Sequence, residues 1–160
     1  MGDTMRRTFV ALAVAIAGLA LAAPLTAQTD EAYLELLRSD LRQQKADLIT
    51  EAMQFSVDQA NVFWPIYREY DAELTVLGDE YLDLLRTYAD NYQNLSEDMA
   101  KELVERVFDH EARRAELLKK YFKRISRELD AVTAARFVQL ERQIDLLIDV
   151  QIASQVPLIP

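Results

Sequence analysis

From Phe63 to Leu95 the large apolar residues are Phe63, Tyr67, Tyr70, Leu74, Leu77, Tyr81, Leu84, Tyr88 and Leu95, advancing by fours and threes with one gap at Asn91. That spacing keeps one narrow face of an α-helix apolar for about nine turns, so the face needs a partner of similar length, in the same chain or in a second copy. Three other stretches repeat the pattern. A first helix from about Asp30 to Met53 carries Leu34, Leu37, Leu41, Leu48 and Phe55, with polar Gln44 counted in the series and Ile49 and Met53 widening the stripe. A third, running to about Glu128, has Val104, Phe108, Ala115, Leu118, Phe122, Ile125 and Leu129 as its expected buried stripe, with Leu103 and Val107 beside it. The last turns Phe137, Leu140, Ile144, Leu147 and Ile148 inward and stops at Val156 and Pro157.

Between these stretches one short pattern recurs: an apolar residue, a side chain able to accept from the next helix's first amides, then the new helix. Phe55-Ser56-Val57-Asp58-Gln59 makes Ser56 the cap. Leu95-Ser96-Glu97-Asp98-Met99 does the same with Ser96, adding two acids that suit the positive end of the helix dipole. Leu129-Asp130-Ala131-Val132-Thr133 places Asp130 there. After residue 27 the chain holds one glycine, Gly78, and three prolines, Pro65, Pro157 and Pro160, too little punctuation for a sheet protein with many turns. The expected class is therefore all-α, with tight connections that fold consecutive helices back as extended hairpins. Pro65 should bend the second helix or be absorbed in its opening turns. At 1.5 Å per residue the two central helices come to roughly 50 Å and the outer two to nearer 35 Å. Four helices so unequal leave the seam from Phe63 to Tyr88 poorly covered, and a homodimer would supply the missing burial.

The first residues point elsewhere. Arg6 and Arg7 precede an apolar run of 15 residues, Phe9 to Ala23, and Pro24-Leu25-Thr26-Ala27 follows. The run is short for a bilayer span and ends in a helix breaker and small residues, the form of a cleaved secretory signal. Cleavage after Ala27 would leave 28–160 as a single helical domain in the periplasm, with no permanent membrane anchor. The chain has no cysteine, so neither a lipid-bearing cysteine nor a disulfide is available. The 133 residues after the cut carry 26 acids against 16 bases, a balance that argues against nucleic acid as a partner.

The joints also resemble the Leu-Thr-x-x-Gln motif that occurs twice in the Spy/CpxP family of periplasmic proteins. Phe55, Ser56 and Gln59 match the first copy with Phe for Leu and Ser for Thr; Leu129 and Asp130 match the second, with Thr133 in place of Gln; Leu95 and Ser96 form a looser echo. The resemblance implies an all-helical antiparallel dimer shaped as a cradle, acting as an ATP-independent chaperone or as an inhibitor of an envelope-stress sensor kinase. Chaperone members hold clients on a basic concave face, whereas this chain is acidic overall. Metal-sensing relatives use ligand sets rich in His or containing Met, whereas this chain has one histidine, His110.

Chemistry finds little purchase. His110 offers one ligand with at most a nearby acid, short of the three or four that a metal needs, and reads as a solvated histidine. No nucleophile with a base, no phosphate loop and no convergent carboxylate pair stands out, so neither enzyme activity nor a cofactor is expected. The tyrosines of the second helix share a seam with Leu74, Leu77 and Leu84 and read as core, their hydroxyls at its wet edge. Trp64 lies beside the seam, either covering the adjoining joint or exposed to a partner. Charge is sorted by helix: Arg106, Arg113, Lys120, Arg124 and Arg127 fall within about 60° on the third, and Glu69, Glu73, Glu80 and Asp83 cluster likewise on the second. These are solvated faces, with Glu102–Arg106, Asp109–Arg113 and Glu116–Lys120 as routine i to i+4 pairs, or they are surfaces for a client or a second protomer. As a client site the basic face would be Arg106, Arg113, Lys120, Arg124 and Arg127 flanked by Leu117 and Tyr121, with Trp64 as a second contact. The expected function is protein binding in the periplasm: a holding chaperone for unfolded proteins, alternatively a regulatory module docking on an envelope-stress sensor, or a metal-responsive sensor.

Overall fold

A computed structural model of the chain describes residues 43–159. The signal expected over 1–27, and the positions Leu34, Leu37 and Leu41, lie outside the described residues. Within them every regular element is helical: α1 over 43–53, α2 Val57–Asn91 with a 3₁₀ turn Tyr92–Asn94, α3 Glu97–Glu128 and α4 Ala131–Ala153. None of these helices is long and apolar enough to cross a membrane.

The joints are built by their capping side chains. Ser56 Oγ accepts from the Gln59 amide at 3.3 Å while Gln59 Oε1 accepts from the Ser56 amide at 3.1 Å, a reciprocal capping box that starts α2. Ser96 Oγ accepts from the Met99 amide at 3.2 Å to start α3. At the third joint Asp130 Oδ1 accepts from the amides of Val132 and Thr133, and the Thr133 hydroxyl donates to Asp130 Oδ2 at 2.7 Å. The Thr133 hydrogen bonds, side chain first, hold the Asp130 carboxyl below the usual aspartate range. Thr133 thus leans back on its cap with a hydroxyl that donates to the Asp130 carboxylate, where Gln59 leans back with a carbonyl oxygen that accepts from the Ser56 amide. Gln54 takes φ 50°, the left-handed turn that usually calls for glycine, and this lets α1 end without one. Pro65 is absorbed without ending α2; it and Asn61, one turn back, are both exposed, so the carbonyl left without an amide donor is at the solvent side.

Contacts divide the chain into two compact units. The unit holding 55–138 is organised by the α2 seam. Phe63, Tyr67, Tyr70, Leu77, Leu84 and Tyr88 are buried, with Leu74 and Tyr81 half-buried. Phe137 sets its ring edge-on to Phe63, Tyr67 and Tyr70 at 5.9, 6.4 and 5.2 Å between centroids, and Tyr121 meets Tyr70 at 5.3 Å. These geometries suit aromatic quadrupoles and add to the burial of the rings. The seam is covered by the chain's own helices, so the exposed stripe that motivated a second copy is not there. Phe55 packs on Phe63 at 4.5 Å, and Trp64, half-buried, lies edge-on to Phe63 and Tyr67, covering the joint.

The α3 stripe differs from expectation. Val104 and Phe108 are 43% and 65% exposed, and the buried positions are Leu103, Leu117, Tyr121 and Ile125, a face about 100° further round the helix. In the other unit, residues 43–54 and 139–157, Leu48, Ile49 and Met53 of α1 and Leu140 and Ile144 of α4 are buried. Glu141 is fully buried there with its Oε2 2.9 Å from Lys45 Nζ, and Asp145, one turn on, is buried as well.

Candidate functional site

The two charged clusters meet. Glu69 takes a forked bond from Arg124, at 2.9 Å for its second prong; Glu73 meets Lys120 at 2.7 Å; Glu80 takes a forked bond from Arg113, at 3.1 Å for its second prong; and Asp83 meets Arg106 at 3.3 Å. As the numbers rise along α2 they fall along α3, so the two helices run antiparallel and the pairs form rungs between them. Hydrogen bonds from Arg124, Lys120 and Arg113 hold the carboxyls of Glu69, Glu73 and Glu80 below the usual glutamate range. Glu73 also accepts from the Tyr121 hydroxyl at 2.7 Å. Burial, and then that bond, push the Tyr121 phenol up to about 12. Lys120 Nζ stands 5.1 Å from the centre of the Tyr121 ring.

These rungs accompany the rotation of α3. Arg113, Lys120 and Arg124 step by seven and four residues, and Glu80, Glu73 and Glu69 step by the same intervals in reverse. Aligning the two series turns Leu117 and Tyr121 toward α2, where they are 8% and 0% exposed. They are core residues, not an apolar rim beside a free basic face. Of the five basic residues, four are matched by acids of α2, and Arg127 pairs with its neighbour Glu128 at 2.8 Å. Of the local pairs, Asp109–Arg113 forms at 3.7 Å beside the Glu80 bond, while Glu116 meets Lys119 at 3.0 Å.

Between the Glu80 and Asp83 rungs lies an open cleft of about 430 Å³. Tyr81, Leu84 and His110 line it among the ion-pair residues. The His110 ring stacks on Tyr81 with centroids 4.7 Å apart and planes 19° from parallel. His110 is half-buried rather than solvated, and its Nδ1 is shielded from water with no hydrogen-bond partner. Burial, then the Arg114 charge, hold its pKa below the usual histidine range. Among the described residues no three His, Asp or Glu gather where they could hold a metal ion.

A different surface runs along α3 on the side away from the rungs. Val104 and Phe108 are exposed there, and Leu118 and Phe122 are half-buried further along the same stripe. Sequence patterning picked out these positions and assigned them to the interior. Buried Glu141 and Asp145, with half-buried Lys45 against Glu141, were missed; a signal existed for Glu141, since its step of four from Phe137 puts it inside the apolar arc of α4. No family model, no curated protein and no solved structure matches this chain.

Proposed function

We infer that the chain is an exported, protein-binding helical protein that holds unfolded polypeptides in the periplasm without ATP. The observation that carries this is the α3 stripe, where Val104 and Phe108 stand in water in line with Leu118 and Phe122. Apolar side chains in series on a surface mark a protein-binding site, and burying one such side chain contributes about 1.5–3 kcal/mol. Arg106, Arg113, Lys120, Arg124 and Arg127 have acids of their own, so that face offers a client little net charge, and recognition falls to apolar contact. The likeness of the three joints to the Spy/CpxP motif, and the apolar run after Arg6 and Arg7, support the same function and compartment.

Two unrelated aggregating clients test it. The wild type should suppress aggregation of both, and protection should persist in salt that screens exposed charges. Val104→Ser with Phe108→Ser should keep the helicity and lose most of the protection. If the wild type protects neither client, or the folded variant protects both undiminished, holding of clients on this stripe is excluded.

A further inference from the structure

Phe108, 65% exposed, is the one aromatic ring among the described residues that stands mostly in water. It does so in the acidic half of α3, where the stretch from Glu97 to Glu111 has six acids against two bases. At 100° per residue, Glu105 and Glu111, three residues before and after Phe108, stand about 60° to either side of it. Beyond Glu105, round the same side of the helix, Glu102 and Asp109 line the open cleft, with Leu84 on its α2 wall. The two bases of this half do little to neutralise these acids. Arg106 is taken by Asp83 at 3.3 Å, and Lys101 reaches Glu105 only loosely, at 3.9 Å between two well-exposed side chains. Glu102 and Glu111 make no ion pair among the described residues.

Resting on the stripe being a binding surface, we propose that it selects among clients, taking segments that are basic as well as apolar. An aromatic or aliphatic side chain of the client packs on Val104 and Phe108, while a Lys or Arg one turn along meets Glu105 or Glu111. Basic side chains have long apolar stems, so one on the Glu105 side can lay its stem toward Leu84 and leave its charge among Glu102, Glu105 and Asp109. An acidic segment with the same apolar residues sets like charges against these carboxylates, which weakens its binding. Apolar contact holds a client of either kind, and the acids set the order of preference. The formal charge of −9 acts in the same sense at longer range, drawing basic polypeptides toward the surface before contact. The preference runs opposite to the basic client face that the Spy/CpxP resemblance implies.

Two synthetic peptides with one set of Phe and Leu positions, the first carrying Lys and the second Glu at every polar position, separate charge from apolar contact. Fluorescence anisotropy should show the Lys peptide binding at least about tenfold more tightly at low ionic strength, the order of two or three exposed ion pairs gained by one peptide and denied to the other. In high salt the two affinities should converge without vanishing. Glu105→Gln with Glu111→Gln should remove most of the preference at unchanged helicity. Asp58→Asn with Glu128→Gln, the same loss of charge at the far end of the α2–α3 hairpin, should keep it. Phe108→Ser should weaken both peptides. A Lys peptide indifferent to Phe108→Ser, equal affinities in low salt, or a preference that the two double variants erase alike overturns the selection of basic segments, whether or not aggregating clients are protected. A preference that follows Glu105 and Glu111, in a protein that suppresses no client's aggregation, upholds the selection and overturns the holding of clients.

Discussion

His110 is a base whose surroundings disfavour its charged form. Its ring lies on Tyr81, its Nδ1 has no acceptor or donor, and Arg106, Arg113 and Arg114 are near it, against Glu80, Asp109 and Glu111. Burial weighs most, and the folded pKa sits below the unfolded value of 6.5. A depressed base binds its proton more readily in the unfolded chain, so its contribution to stability is complete above 6.5 and is lost as pH falls through the folded value. Melting temperature should therefore decline from about pH 7 to about pH 5, and His110→Phe, which can keep the stack, should flatten that slope. Thermal melts across the range decide it; equal slopes would show that another group is titrating. The paired glutamates act in a separate and more acidic window, below their ordinary value of 4.5.

Helix pairing in the α2–α3 hairpin depends on complementarity that neither helix displays alone. The α2 seam was legible because fours and threes of large side chains leave a single apolar face. α3 was not, because it has two apolar faces about 100° apart, and its own sequence does not rank them. The choice is visible only beside α2, where Glu69, Glu73 and Glu80 meet Arg124, Lys120 and Arg113 along one edge while Leu117 and Tyr121 turn inward. Both charged clusters could be read from the chain; that they answer each other could not, since steps matched in reverse mean nothing until two helices are known to run antiparallel. Replacing Arg113, Lys120 and Arg124 together by Glu should accordingly lower the melting temperature, because it faces three carboxylates with three more. Reversing Glu69, Glu73 and Glu80 to Lys in the same chain should recover it. A triple variant as stable as the wild type would reduce the rungs to surface decoration.

The whole chain carries a formal charge of −9, yet its α3 surfaces are not uniformly acidic. Bases are placed where they neutralise α2 or gather at one end of α3, which leaves the remaining acids to keep the protein soluble. Its stability has a centre at Phe137, fully buried among Phe63, Tyr67 and Tyr70. Phe137→Ala should cost about 3–5 kcal/mol, the range for deleting a buried ring, seen as an earlier denaturant midpoint with little change in slope. A loss below about 1 kcal/mol would mean that the ring cluster can close over the gap. The helical class, the joints with their caps and the inward position of Phe137 were all legible in local spacing. The pairing of buried Glu141 with Lys45 was not, because a lone acid on an apolar arc looks like an imperfect stripe until its cation arrives from 96 residues away.

Each rung also constrains how this chain can be inherited. A charge lost at Glu80 leaves Arg113 with the looser 3.7 Å contact to Asp109 until a second change answers it 33 residues further on. Descendants of this gene should therefore drift in couples at 69 and 124, 73 and 120, and 80 and 113, keeping opposite signs even after the residues themselves have been exchanged.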